Sequence, residues 1–307
     1  MCQVSVIQSA VAACELRPRS TDFVDLFRTT PAQTVCPNFY VLCHANGCLF
    51  EPNCSYCYLR SSLQHLRRPQ AFTNVGAMLQ QVRDWIALDG LETYVLNTGN
   101  LSDSLAFEEV RPAVAALVEL FRREAEAKGR PHELLLVTKG GLDQCRGLLE
   151  CQPCRSVIVS FSVNSRRAAR RHERGAAPVG QRLTAASKLA RRGWRVRMRI
   201  DPMILGYDYA WVTGRLRRLA PERVTLGALR AEPSLLRALK NPLFAALEPP
   251  AGENAMARYP RAERIALYRP ACQALADISP VALCEETEDV WRELGLDVEG
   301  RHCNCGA

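Results

Sequence analysis

Seven short apolar runs recur along the chain, most of them rich in β-branched residues: 39–43 (FYVLC), 93–97 (TYVLN), 134–138 (LLLVT), 157–163 (VIVSFSV), 196–200 (VRMRI), 224–227 (VTLG) and 281–283 (VAL). Runs of this length and composition predict strands buried on both faces of a sheet. Between them lie longer segments with helical spacing, at 77–88, 105–128, 180–192, 209–219 and 260–276. Strand and helix alternate, which is the pattern of right-handed βα units around a parallel sheet. The expectation is an α/β fold, a partial or complete barrel, with function at the C-terminal ends of the strands. Residues 1–35 show no sustained periodicity and predict an irregular leader or cap. Residues 36–230 then form the core barrel, and 231–307 a C-terminal extension with a final strand and a cysteine-rich tail. The stretch 247–256 (LEPPAGENAM) predicts a long surface loop.

Composition narrows the function classes. Hydrophobic residues are 48% and charged residues 23%, enough to bury a core and exclude wholesale disorder. No apolar run reaches the roughly 18 residues of a spanning helix, and no basic stretch precedes the first apolar one. The expectation is a cytoplasmic chain without a membrane partner. The net charge of +8 comes largely from arginine, densest between 166 and 199. Its ordinary reading is a solvated helix face; the aromatic residues do not interleave with it as a base-stacking platform requires. The 14 cysteines are more telling, because in a chain without a secretory leader clustered thiols bind metal or do redox chemistry.

Three of them lie in Cys48-Leu-Phe-Glu-Pro-Asn-Cys54-Ser-Tyr-Cys57, a C-x5-C-x2-C loop turned by Gly47 and Pro52. A structural zinc site needs four protein ligands, so a zinc site here requires Cys36, Cys43 or His44 in addition. Three thiolates on a four-iron cluster leave one iron open, as a catalytic centre requires. A second constellation is His302-Cys303-Asn304-Cys305, where two thiols can bind a soft ion, supply hydrogen or form a disulfide. The final strand and helix are expected to return it to the top of the barrel, with Cys284 as a possible third member. A third pair, Cys151 and Cys154, sits before the fourth strand on the side away from the predicted site. Cys2, Cys14, Cys145 and Cys272 belong to no constellation and are read as buried or incidental.

The loop Gly47-Cys48…Cys54-Ser-Tyr-Cys57-Tyr-Leu resembles the cluster loop of radical S-adenosylmethionine (SAM) enzymes, in particular the spore photoproduct lyase family. The resemblance implies a partial (β/α)6-type TIM barrel of the radical SAM kind. It also implies a [4Fe-4S] cluster on Cys48, Cys54 and Cys57, whose open iron takes the amino and carboxylate groups of SAM. The usual family loop is C-x3-C-x2-C, so this one is two residues longer. Further positions match in order at successive strand ends. Gly99 and Asn100 occupy the place of the short motif that meets the SAM amino group, with Asn100 standing for an acidic residue. Lys139, Ser162, Asn164 and Arg199 resemble further SAM-contacting positions, and Tyr56 and Tyr58 match the tyrosines flanking the third cysteine. His172, Glu173 and Arg174 also fit the family.

The resemblance implies an enzyme that cleaves SAM reductively to a 5′-deoxyadenosyl radical, which abstracts hydrogen from a substrate. Cys303 and Cys305 are the expected catalytic residues beside it. It implies an electron donor of the flavodoxin or ferredoxin kind. A small-molecule substrate is expected ahead of nucleic acid, because Asn100 stands where the photoproduct lyases place a hydrogen-donating cysteine. Other readings remain open from the sequence. One is cleavage of a different carbon–sulfur bond, with transfer of a 3-amino-3-carboxypropyl group to a thiophilic acceptor, such as trivalent arsenic, on Cys303 and Cys305. Others are DNA photoproduct cleavage, and a non-enzymatic zinc or nucleic-acid-binding module.

Overall fold

The computed structural model describes residues 13–27, 33–252, 255–300 and 303–306. Eight strands lie side by side in chain order: β1 (Val24–Phe27), β2 (Phe39–Leu42), β3 (Val95–Asn97), β4 (Glu133–Thr138), β5 (Val157–Val163), β6 (Arg195–Met203), β7 (Arg223–Ala228) and β8 (Val281–Leu283). All neighbours from β2 to β8 pair in parallel. The edge strand β1 runs antiparallel to β2, with Val24 opposite Leu42. The seven parallel strands are the seven predicted runs. Their strictly sequential order in an open sheet is that of a partial barrel.

Ten α-helices accompany the strands among the described residues. They are α1 (Leu59–Ser62), α2 (Val75–Ile86), α3 (Val114–Phe121), α4 (Arg146–Glu150), α5 (Arg166–His172), α6 (Val179–Arg191), α7 (Ala210–Leu219), α8 (Pro233–Ala238), α9 (Arg261–Leu275) and α10 (Glu288–Glu293). The long helix expected over 105–128 is shorter: α3 starts after Pro112 and runs on into a π turn, Arg122–Glu126. Proline disfavours helical geometry in the residue before it, so the turns over 103–111 cannot continue into α3. Glu108 then caps the new start, its carboxylate accepting from the amides of Ala113 (3.0 Å) and Val114 (3.2 Å).

The leader is more ordered than its lack of periodicity predicted. Glu15–Arg17 pairs in parallel with Gln70–Phe72, which pairs antiparallel with Ala45–Asn46. Glu15–Arg17 and Val24–Phe27 contain no buried residue, so neither forms the compact apolar run that marks the parallel strands in the sequence. The C-terminal extension also contributes to the central sheet, since β8 pairs with β7 from Val224–Val281 to Leu226–Leu283.

The centre of the molecule is β5, whose seven residues are all buried. Helices cover its outer face. Its inner face is polar: Ser160 stands in register with Arg197 of β6, and Arg197 with Arg223 of β7. A barrel interior normally fills such a row with branched apolar side chains. Here the row receives residues 303–306. Truncating the fully buried Phe161 of β5 to alanine should cost about 3–5 kcal/mol by cavity formation. Chemical denaturation measures this; a loss under about 1 kcal/mol would show that β5 is not the core of the sheet.

Candidate active site

The cluster-type loop follows β2 and crosses the C-terminal ends of the parallel strands. Gly47 opens it with φ +87°, a left-handed conformation that glycine adopts without penalty. Its amide donates to Leu101 O at 2.9 Å. The loop is held along its length by the segment after β5. Ser55 N donates to His172 O (2.8 Å), and Ser55 Oγ lies 3.0 Å from His172 Nδ1. Gly175 N donates to Pro52 O (3.1 Å), and Asn241 Nδ2 to Ser55 O (2.8 Å). A Cβ on Gly175 would stand 2.5 Å from the carbonyl carbon of Glu51, so no other residue fits there without moving the loop.

The thiols of Cys48, Cys54 and Cys57 are free and partly buried. Burial first, and then the Asp103 carboxylate, push Cys48 up. Burial raises Cys54 to about 12 against the pull of Lys139. Thiols so raised must lose protons to ligate a metal, which ties loading to pH. Among the described residues no group of three or more His, Cys, Asp or Glu converges as a single ion requires. His44, the candidate fourth zinc ligand, has both ring nitrogens engaged: Nε2 with Ser102 Oγ (2.8 Å) and Nδ1 with Arg111 (2.7 Å). Burial and Arg111 lower its pKa to about 3, so it is neutral. Cys36, another candidate, faces Cys303, Glu285 and Arg230 instead of the loop.

Tyr56 and Asn164 converge on Glu173. The Tyr56 hydroxyl donates to the Glu173 carboxylate, and Asn164 Nδ2 donates to it at 3.0 Å and to Pro202 O at 3.0 Å. Arg182 completes the set at 2.5 Å, both charges fully buried. Burial alone would raise Glu173; Arg182, Lys139 and the Tyr56 hydroxyl outweigh it and hold the carboxyl down to about 2.

Lys139 follows β4 and lies close enough to Cys54 and Glu173 for their charges to act on it. No carboxylate among the described residues comes within ion-pair distance of its amine. Gly99 packs against β4, where a Cβ would stand 2.5 Å from Val137 Cβ. Its amide donates to Asn97 Oδ1 at 2.8 Å, and Tyr58, next to Cys57, donates its hydroxyl to Asn100 O. Ser162 is buried on β5 in register with Arg199 of β6. Arg199 pairs with Asp201 and donates to Cys284 Sγ at 3.3 Å, but its buried Nε has no partner. An orphaned guanidinium N–H and an unpaired ammonium beside three thiols suit an anionic ligand such as the carboxylate of SAM.

Asp103, to which the sequence alone assigns no role in the site, ties this rim together. Its carboxylate accepts from Lys139 N (2.7 Å), Thr138 Oγ1 (2.8 Å) and Leu105 N (3.0 Å). Neighbouring Ser104 Oγ meets Thr98 Oγ1 (2.6 Å) and Val137 N (2.7 Å). The signal was available in the Ser-Asp-Ser run directly after a strand.

Residues 303–306 lie inside the partial barrel. Arg197 donates to Asn304 O and Gly306 O, both at 2.8 Å, and Arg223 to Cys303 O at 2.7 Å. Ser160 Oγ donates to Asn304 Oδ1 at 2.7 Å, and Asn97 Nδ2 approaches Cys305 Sγ at 3.8 Å. Cys303 and Cys305 are buried and hydrogen-bonded to each other. That bond from Cys305, with the amides of Cys305 and Gly306 and the charge of Arg199, lowers Cys303 to about 6 despite burial. The same bond raises Cys305. Cys2 and His302 lie outside the described residues. Cys151 and Cys154 sit before β5, away from this site, both raised first by burial, as befits unreactive thiols.

A family model described as spore photoproduct lyase matches residues 18–223. The chain belongs to the spore photoproduct lyase family. It is therefore a radical SAM enzyme that uses a [4Fe-4S] cluster and SAM. Solved structures agree in fold. A spore photoproduct lyase complexed with dinucleoside spore photoproduct gives a TM-score of 0.72 at 18% identity, covering 92% of this chain and 84% of that one. A mutant spore photoproduct lyase with bound AdoMet and dinucleoside spore photoproduct gives 0.71 at 18% identity, with the same coverage of 92% and 84%. Streptococcus suis SuiB is more distant, at 0.50 and 10% identity, covering 82% of this chain and 50% of that one. No curated protein matches the chain. Membership overturns the non-enzymatic zinc reading. No helix among the described residues is long and apolar enough to cross a membrane. Residues 303–306 lie beyond the span matched by the family model.

Two outcomes follow for this family member. Gly175→Ala should halve, or worse, the iron bound on anaerobic reconstitution while the isolated fold persists by circular dichroism; full iron content would show that the loop tolerates displacement. As pH falls from about 4.5 toward 2, Glu173 protonates and the stability it gives above 4.5 is lost, on the order of 3 kcal/mol. Glu173→Gln should flatten that acid limb in denaturation measured against pH.

Proposed function

We propose that Cys48, Cys54 and Cys57 hold the [4Fe-4S] cluster and that Gly99, Asn100, Lys139, Ser162, Asn164 and Arg199 form the SAM site. The observation that carries this reading is the meeting of three free thiols, the unpaired Lys139 ammonium and the orphaned Arg199 Nε at one end of the parallel sheet. Once bound there, cluster and SAM would supply reductive carbon–sulfur cleavage and, through it, hydrogen abstraction from the substrate. The chain's own residues do the positioning. Lys139 and Arg199 neutralise and orient the SAM carboxylate. Gly99 brings backbone close to the amino group, and Asn100 accepts a hydrogen bond from it without a carboxylate's charge. Ser162 lines the floor beside Arg199. Asn164 and Tyr56 act through Glu173, fixing the wall against which the ligand rests.

The substrate is an unidentified small molecule. Relatives bind a dinucleoside photoproduct, and this chain departs from them at Asn100, where the resemblance places a hydrogen-donating thiol. A thiol is nevertheless near, because Asn97 joins the Gly99 amide to Cys305. Cys303 and Cys305 are assigned to substrate handling on that ground. Their seat in the barrel interior favours one further reading, transfer of a 3-amino-3-carboxypropyl group to a thiophilic acceptor held by the two sulfurs.

Anaerobic turnover of the reconstituted protein with SAM and dithionite separates these readings. 5′-Deoxyadenosine is the expected product; methylthioadenosine in its place would overturn hydrogen abstraction and establish the transfer. Neither product from protein of full iron content would overturn the SAM assignment. For the dithiol, thiolate ultraviolet absorbance in the apo-protein should titrate near pH 6 and lose that step in Cys303→Ala. A pair titrating only above its ordinary value would make both thiols inert.

A further inference from the structure

Helices α6 and α7 follow one another on the outside of the sheet, yet they do not close on each other. α6 packs on β5 and β6, while α7 packs on α9. Between them lies an open cleft of about 430 Å³. Its walls follow helical spacing, with Leu183, Ser187, Ala190 and Arg191 on one face of α6 and Arg215, Arg218 and Leu219 on one face of α7. Arg191 ends α6 and Arg218 lies in the last turn of α7, just before β6 and β7 begin. The cleft is thus at the opposite end of the strands from the thiol loop, about 30 Å away along the nine residues of β6.

The cleft has two kinds of surface. Leu183 is buried and Ala190 and Leu219 are half-buried, which makes an aliphatic floor. Arg191, Arg215 and Arg218 are exposed around it. No carboxylate among the described residues comes within ion-pair distance of these three. Arg217, turned away from the cleft on the same helix, is paired with Asp277 at 2.5 Å. Arg218 is steadied by its Nε, which donates to Gly214 O at 3.3 Å. Guanidiniums from two helices therefore border one space, each a planar fork that matches the oxygens of a phosphate. Three positive charges suit a ligand with more than one negative charge, which a phosphate or diphosphate carries and a single carboxylate does not.

We propose that the cleft between α6 and α7 binds a small phosphate or diphosphate ester with an aliphatic body. The phosphate rests on Arg191, Arg215 and Arg218, and the body on Leu183, Ala190 and Leu219. The volume falls within the range of small-molecule sites, about 300–1,000 Å³. No aromatic ring lines the cleft, so a nucleotide base or a nucleic-acid strand finds no face to stack on. Nothing is cleaved or transferred there, and none of the lining residues belongs to the cluster or SAM site. The charges stand in solvent, so binding should weaken with salt.

Isothermal titration of the full-length protein with isopentenyl diphosphate and with inorganic pyrophosphate tests this. The ester should bind about tenfold more tightly than pyrophosphate, because only the ester covers the floor. Arg215→Gln with Arg218→Gln should raise the Kd of both about tenfold or more, and Arg191→Gln, on the facing helix, should raise it in the same direction. Ala190→Leu should remove the ester's advantage and leave pyrophosphate binding as it was. Arg170→Gln with Arg171→Gln, on α5, should leave every Kd unchanged. Circular dichroism matching the unmodified protein shows that each variant is folded. Equal Kd for ester and pyrophosphate in the unmodified protein would overturn the proposal, since the floor would then add nothing. The same loss in the α5 variant as in the cleft variants would overturn it too, as a response to net charge alone. So would failure of the ester to saturate at millimolar concentration, and so would sedimentation with phosphatidic acid vesicles without binding of the free ester, which would make the cleft a lipid-facing patch.

Discussion

The buried carboxylate of Glu173 is the contact on which the arrangement of the site depends. It gathers Arg182 from α6, Tyr56 from the cluster loop and Asn164 from the end of β5. A buried ion pair is not by itself a source of stability, because desolvation offsets most of its Coulombic gain. What it provides here is position. A loop with Gly, Pro and three thiols has little apolar surface with which to fix itself, and its one deeply buried aromatic ends on this carboxylate. Removing either charge would leave the other stranded in the core, so loop, strand and helix are committed to one geometry together.

The second constraint is the polar interior of the sheet. Ser160, Arg197 and Arg223 form a row that no apolar layer fills, and the carbonyls of residues 303–306 satisfy it. Glu222 balances part of the charge through Arg197 at 2.9 Å. This turns the base of the partial barrel into a socket for a peptide. The socket in turn holds two thiols upright toward Asn97 and Arg199, where an unanchored cysteine pair would have no fixed relation to the strand ends.

Much of this was legible in the sequence. The seven parallel strands were visible because each is a compact run of β-branched and apolar residues, buried on both faces and flanked by helix-period segments. The thiol loop was visible through its spacing, and the motif positions through their order at strand ends. What escaped had physical reasons. The strands at 15–17 and 24–27 contain no buried residue and so lack the compact apolar run that marks the others. Pro112 reset the helix that the pattern ran through. The seat of Cys303 and Cys305 was foreshadowed only by arginines at 197 and 223 on strands otherwise apolar, a signal of buried charge that needs the register to be interpreted. Cys36, 267 residues before Cys303 in the numbering, joins that thiol group only through the fold.

The socket also has a consequence for the order in which the molecule is made. Its walls come from β5, β6 and β7, all emitted from the ribosome well before residues 303–306. Until residues 303–306 appear, the buried guanidinium of Arg197 faces an interior without their carbonyls. Contacts spanning a hundred residues and more form late, because the chain must first give up the freedom of the intervening loop. The nascent chain therefore carries a hydrated, incompletely packed cleft from the completion of β7 until residues 303–306 are made, and this part of the interior closes after its walls have formed.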